Sequence, residues 1–176
     1  MSECDCCLGP SGEIIDLLTG EPVPDLDRER IKQKILKFLL EQKGYRKEDF
    51  LPNVDLDVRA GDKILTARLD LVVQIDGRPA MIIRCAPGSV VSRERGTIAA
   101  ARLLKKEYII PVAIQASAQE AAILDPINKK AVAYGWEHIP SREELTSLLK
   151  GWTPTALPPG RRPQEERILF AYDAHT

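Results

Sequence analysis

No apolar run in this chain approaches the ~20 residues that a membrane-crossing helix requires. The opening residues, MSECDCCLGP, lack the basic-then-apolar order of a secretory signal. These two absences set the expectation of a cytoplasmic protein with no membrane partner. Histidine is scarce, with only His138 and His175. Of the four cysteines, Cys4, Cys6 and Cys7 crowd one end and Cys85 stands alone far away, which is not a disulfide framework. The C-x-C-C cluster could hold a metal if another ligand came near, but no second C-x-x-C exists, and a solvated tail is the simpler reading. An excess of positive charge is also missing. Lysine and arginine number 25 against 26 acids, for a net charge of −1 and a pI near 6.2, so a nucleic-acid role would need a local basic patch.

What is present is an ordinary globular composition, 44% hydrophobic and 29% charged over 176 residues, enough for one domain with short tails. Residues 1–24 read as tail and turns, with Glu13 to Leu18 as a short strand or turn. Residues 25–150 read as the folded body, and residues 151–176 as a Pro-rich linker followed by an arm. Ile31, Ile35, Phe38 and Leu39 recur at helical spacing from Asp27 to about Lys43, with Asp25 or Asp27 as cap and Gly44 as terminator. Val54 to Val58 alternates as a strand. Ile64 to Ile75 follows with Leu65, Ala67, Leu69, Leu71, Val73 and Ile75 on one face, and Thr66, Arg68, Asp70, Val72 and Gln74 on the other. Asp76-Gly77 is a hairpin turn that returns Pro79 to Cys85 antiparallel.

A helix is expected over Ser92 to Lys106, a buried strand over Ile109 to Ala116, and a hairpin at Ala121 to Leu124 and Ala131 to Tyr134. Ser141 to Glu144 forms a capping box that opens a helix to about Leu149. Arg167 to Tyr172 reads as a last strand, or as an arm that docks on a second copy of the chain. The order implies an α/β (α+β) fold, a mixed sheet with an antiparallel three-strand meander flanked by helices.

The stretch MIIRCAPGSV is the point of chemical interest, because an apolar strand ends in Arg84 and Cys85. From there to Lys106 the basic residues are Arg84, Arg93, Arg95, Arg102, Lys105 and Lys106, with Glu94 the only acid. A solvated helix face and a phosphate-binding patch both fit this count. Glu29 reads most simply as a first-turn acid favoured by the helix dipole. Cys85 reads as a small buried hydrophobe, since no histidine lies nearby in sequence to activate it.

The segment GEIIDLLTGEPVPDLDRERIKQKILKFLLEQKGYRKEDF and the later RLDLVVQIDGRPAMIIRCAP resemble the N-terminal domain of the R subunit of type I restriction enzymes, a family of the PD-(D/E)xK nuclease fold. The resemblance implies a restriction-endonuclease-like core, a bacterial source and metal-dependent hydrolysis of DNA. In such nucleases an Asp and a Glu on adjacent strands hold Mg²⁺, and a Lys two residues after the Glu positions the attacking water. Carried over, Asp70 falls on the metal-binding Asp and Glu29 on an accessory acid of the first helix. Arg84 falls where the Glu belongs, and neither alignment of the I-E-C-K-A-P pattern supplies the Lys.

A guanidinium cannot ligate Mg²⁺. The sequence therefore leads to an Asp70–Arg84 ion pair across neighbouring strands, no cofactor, and a catalytically inactive domain. Such a domain could bind DNA through Arg68, Arg84, Arg93, Arg95 and Arg102. Two alternatives stand beside it. One is an active nuclease that holds Mg²⁺ with Asp70 and Glu29 or a migrated Glu94, with Lys105 or Lys106 in place of the lost lysine. The other is a protein-interaction domain without nucleic acid.

Overall fold

Eight strands and four helices follow one another through residues 12–174, the part of the chain that the computed structural model describes. The cysteine cluster at Cys4, Cys6 and Cys7, and His175, lie outside the described residues. Strands β1 (Glu13–Ile15) and β2 (Pro22–Pro24) form a small antiparallel pair. Helix α1 (Asp27–Gln42) buries Ile31, Ile35, Leu36 and Leu39, the stripe its periodicity predicts. Gly44, at φ +72°, takes the left-handed conformation that ends it. Neither aspartate caps its start, where Leu26 is the N-cap. Asp25 instead pairs with Arg30, one turn into the helix.

Strands β3 (Phe50–Ala60), β4 (Lys63–Ile75) and β5 (Arg78–Cys85) make the expected antiparallel meander. Asp76 and Gly77, at φ 51° and 75°, form the turn between β4 and β5. Helix α2 (Glu94–Leu103) crosses to β6 (Val112–Ala116), which pairs parallel with β5. The β7 (Ala121–Asp125) and β8 (Lys130–Tyr134) hairpin completes a six-stranded mixed sheet in sequential order. Helix α3 (Arg142–Gly151) opens with the expected capping box, in which Ser141 and Glu144 exchange hydrogen bonds of 3.2 and 2.7 Å.

The sheet lies between two helical layers. One apolar cluster joins α1 and α3 residues to Leu71, Val73, Met81, Ile83 and Ile114. The other joins α2 residues to Leu69, Val72, Ile82 and Ala113. The single alternation read along β4 therefore breaks at Asp70: Leu69 belongs to one core and Leu71 to the other. Asn53, the residue across from this point in β3, has a positive φ of 53°, so the ribbon is distorted there.

The C-terminal segment departs furthest from expectation. Residues 162–173 are neither a strand nor a free arm but a helix, α4 (Arg162–Asp173), packed on α2 and β3 of its own chain. Leu169 and Glu165 are its buried positions, one turn apart. The preceding segment is also held to the body. Trp152 stacks edge-on with Tyr108 at 5.4 Å, and the Ile109 amide donates to the Thr155 carbonyl at 2.8 Å.

Candidate functional site

The β4–β5 ladder ends at Leu71 opposite Ile83, one step short of a 70/84 pair. Beyond it β5 continues with β6, where Arg84 lies beside Gln115 and Cys85 beside Ala116. Where β4 and β5 part, the side chain of Asp70 replaces the missing backbone bond: its Oδ2 accepts the Cys85 amide at 2.7 Å. Asp70 is 3% exposed, so its charge needs a partner. That partner is Arg28 of α1, which grips the carboxylate with Nε at 2.6 Å and Nη2 at 3.0 Å. The same Nη2 also reaches the Arg68 carbonyl at 3.0 Å. Fork-to-fork pairing of this kind is the strong form of the arginine–carboxylate contact.

The expected Asp70–Arg84 pair is therefore absent. Arg84 points toward the other helical layer, where Asp173 in the last turn of α4 takes Nη2 with both oxygens, at 2.8 and 2.7 Å. The side chains of that pair are 12% and 9% exposed. Arg84 Nε is buried and has no hydrogen-bond partner among the described residues.

The remaining expected site residues scatter. Glu29 lies close enough to Asp70 that both carboxylates act on the Cys85 thiol, but its Oε1 is held by Lys32 at 2.9 Å and Gln33 at 2.8 Å. Glu94 does not turn toward Asp70, because it accepts the Tyr134 hydroxyl at 2.6 Å on the far side of the sheet. Arg68 pairs across strands with Asp55 at 3.0 Å on the exposed face. Arg102 is buried, not displayed: it donates to Glu165 of α4 at 2.8 Å and to the Pro126 carbonyl at 2.7 Å. Arg93 is half-buried and Arg95 exposed, and neither has an ion pair among the described residues.

Between the β5 end and the tip of α4 lies a cavity of about 370 Å³, lined by Arg28, Arg84, Arg93, Gln115, Tyr172 and Asp173 beside the Cys85–Pro87 turn. Three arginines therefore line one hollow. Burial, reinforced by the Asp70 charge, pushes the Cys85 thiol well up, so it stays protonated and is a poor nucleophile. No group of three or more His, Cys, Asp or Glu side chains is placed to hold a metal ion among the described residues.

Two residues of this site escape sequence reasoning. Arg28 looks like any solvated helix residue until α1 is laid against β4. Lys32 is 1% exposed, with its ammonium between Glu29, Asn53 at 3.3 Å and Asp16 at 3.6 Å, although a helix lysine ordinarily faces water.

The family description "Type I restriction enzyme R protein N terminus" matches residues 27–140, which include Arg28, Asp70 and Arg84 and end before α3 and α4. No curated protein matches the chain. Among solved structures, one titled "cryoEM structure DrdV-DNA complex" is similar over 71% of this chain and 14% of that chain, at 12% identity and a TM-score of 0.38. The chain thus spans a small fraction of that protein's length.

Proposed function

From the premise that this chain belongs to the family of type I restriction enzyme R protein N termini, we propose that it is a nuclease-fold domain that does not hydrolyse phosphodiesters and binds nucleic-acid phosphates through arginines at its former catalytic cleft. The observation that carries this reading is the state of Asp70. Both of its oxygens are engaged, one by Arg28 and the other by Arg28 and the Cys85 amide. A divalent ion at this carboxylate would have to displace a guanidinium that already supplies the positive charge.

The residues around it do not fit Mg²⁺. Arg84 has no acceptor atoms, Glu29 is bonded to Lys32, and Glu94 is bonded to Tyr134. The arginines that exclude a cation favour an anion. Arg28, Arg84 and Arg93 border the cavity, and Arg95 stands exposed in the first turn of α2. Phosphate oxygens are the partners guanidinium forks suit best.

The test has two parts. Plasmid and single-stranded DNA incubated with the protein and Mg²⁺ or Mn²⁺ should stay intact. The same DNA should bind equally with and without EDTA. Metal-dependent cleavage that disappears in Asp70→Ala would overturn the reading.

A further inference from the structure

We propose that the cavity at the carboxyl ends of β5 and β6 receives one unpaired nucleobase, and that Gln115 on its wall selects bases carrying a keto oxygen. This deepens the nucleic-acid reading above and rests on it for the strand that carries the base, but not for the cavity.

Three observations converge. The first is the place. Strands β5 and β6 pair in parallel with α2 between them in the chain, and ligands of open α/β sheets bind outside the carboxyl ends of such strands. The hollow of about 370 Å³ lies there, beside the Cys85–Pro87 turn, and falls in the ~300–1,000 Å³ range of small-ligand sites. Helix α4 stays docked and forms one wall. Tyr172 is held close to Gly96 by its Cβ and Cγ, and Tyr172 and Asp173 line the hollow.

The second observation is the state of Gln115. It is 2% exposed, yet it lines the hollow. Its Oε1 accepts the Thr97 hydroxyl at 2.6 Å, a bond between two buried side chains. Its amide nitrogen has no hydrogen-bond partner among the described residues, and a buried donor left so is costly. With its oxygen pinned, Gln115 offers the hollow donors alone. A glutamine free at both ends pairs with adenine by giving one hydrogen and taking another. Gln115 has no oxygen left to take one. The arginines beside it are donors only, and both oxygens of Asp173 already accept from Arg84. The keto oxygen of thymine, uracil or guanine suits such a wall. The amino group of cytosine or adenine sets donor against donor.

The third observation concerns the rest of the nucleotide. Tyr172 supplies an aromatic surface, on which any base can stack. Arg28 holds Asp70 with Nε and Nη2, while its Nη1 makes no hydrogen bond among the described residues. With its side chain 40% exposed, Arg28 can meet a phosphate through Nη1 and keep Asp70. Bases inside a duplex are stacked and paired, so the base that enters comes from a single strand.

Fluorescence anisotropy tests this with oligo(dU), oligo(dC) and an abasic oligomer of equal length, on wild type, Gln115→Leu and Thr97→Val. Uracil and cytosine share one ring size and differ at C4, keto against amino. Wild type should bind oligo(dU) about fivefold more tightly than oligo(dC), the worth of one neutral hydrogen bond, and the abasic oligomer most weakly. Gln115→Leu should lower oligo(dU) to the level of oligo(dC). Thr97→Val frees the amide to turn, so it should erase the preference by raising oligo(dC) and leave oligo(dU) unchanged. Equal affinity of wild type for oligo(dU) and oligo(dC), or a preference that survives Gln115→Leu, overturns the proposal and leaves phosphate binding standing. Binding of uridine monophosphate with no oligomer binding keeps the base site and removes the strand. No binding of any probe overturns both readings. Should the variants fail to fold, photocross-linking of wild type to an oligomer carrying 5-iodouracil decides: a cross-link at Tyr172 is expected, and cross-links confined to other surfaces overturn the proposal.

Discussion

The pairing of Asp70 with Arg28 is asymmetric, and the asymmetry is measurable. The Asp70 side chain is 4% exposed and that of Arg28 is 40% exposed. Removing the arginine leaves a buried anion with only the Cys85 amide to hold it. Removing the anion leaves a cation that can turn into water. Arg28→Ala should therefore lower stability by about 2–3 kcal/mol, less than the loss of a fully buried pair because water can partly reach the gap. Asp70→Asn should cost about 1 kcal/mol, since the amide oxygen still accepts from Cys85. In the double variant most of the Arg28→Ala loss should return. Urea unfolding midpoints of the three variants check this, and equal losses in both single variants would show that the carboxylate is not the dependent partner. That Asp70 and Arg84 stand on neighbouring antiparallel strands was legible from the two apolar runs and the Asp76-Gly77 turn between them, whereas the alternation along β4 breaks at Asp70 itself. Their partners were not legible, because Arg28 lies 42 residues before Asp70 and Asp173 lies 89 residues after Arg84. Which helix reaches a strand end is decided by layer packing that local pattern does not encode.

At the scale of elements, α1, the β4–β5 hairpin and α3 were readable because each combines a clear period with specific turn or cap chemistry. Helix α4 was not. Its apolar run ILFAY is too short for periodicity to separate strand from helix, and its identity depends on what it covers. What it covers is α2, and two residues fix that contact. Glu165, 2% exposed, answers the buried Arg102 and also Lys129 at 3.1 Å. Gly96 supplies the close approach: a β-carbon there would stand 2.9 Å from the Cβ and Cγ of Tyr172. Those atoms sit next to the α4 backbone and cannot swing aside like a side-chain tip. Alanine is the better helix former by about 1 kcal/mol, but overpacking costs about 1–3 kcal/mol. Gly96→Ala should therefore lower the melting temperature and open the 152–161 segment to proteolysis. Adding Tyr172→Ala to Gly96→Ala should remove the clash and restore resistance. A Gly96→Ala variant more stable than wild type would show that the helices do not meet there.

For the molecule as a whole, a net charge of −1 gives no long-range attraction for a polyanion. Any nucleic-acid affinity must come from a few local contacts, and the fold has already reduced their number. Of the five arginines that the sequence offered, Arg102 is enclosed by α4, Arg68 is paired with Asp55 and Arg84 with Asp173. Arg93 and Arg95 are the two of these five without an ion pair among the described residues, so they meet phosphates first, while the cavity arginines Arg28 and Arg84 add to binding only to the extent that their carboxylate pairs allow. Each phosphate neutralised on single-stranded DNA contributes about 0.7 to the slope of log affinity against log salt. Two contacts therefore give a slope of about −1.4, shallow for a nucleic-acid binder. Arg93→Ala and Arg95→Ala should each flatten it by about 0.7 and weaken all sequences alike, because phosphate contacts carry no base information. Fluorescence anisotropy over a range of salt concentrations, with and without EDTA, measures both quantities. A slope much steeper than two contacts allow, unchanged in either variant, would place the binding surface elsewhere. A hollow where Lys43, Arg46, Arg142 and Lys150 gather around the start of α3 would then be a surface to mutate.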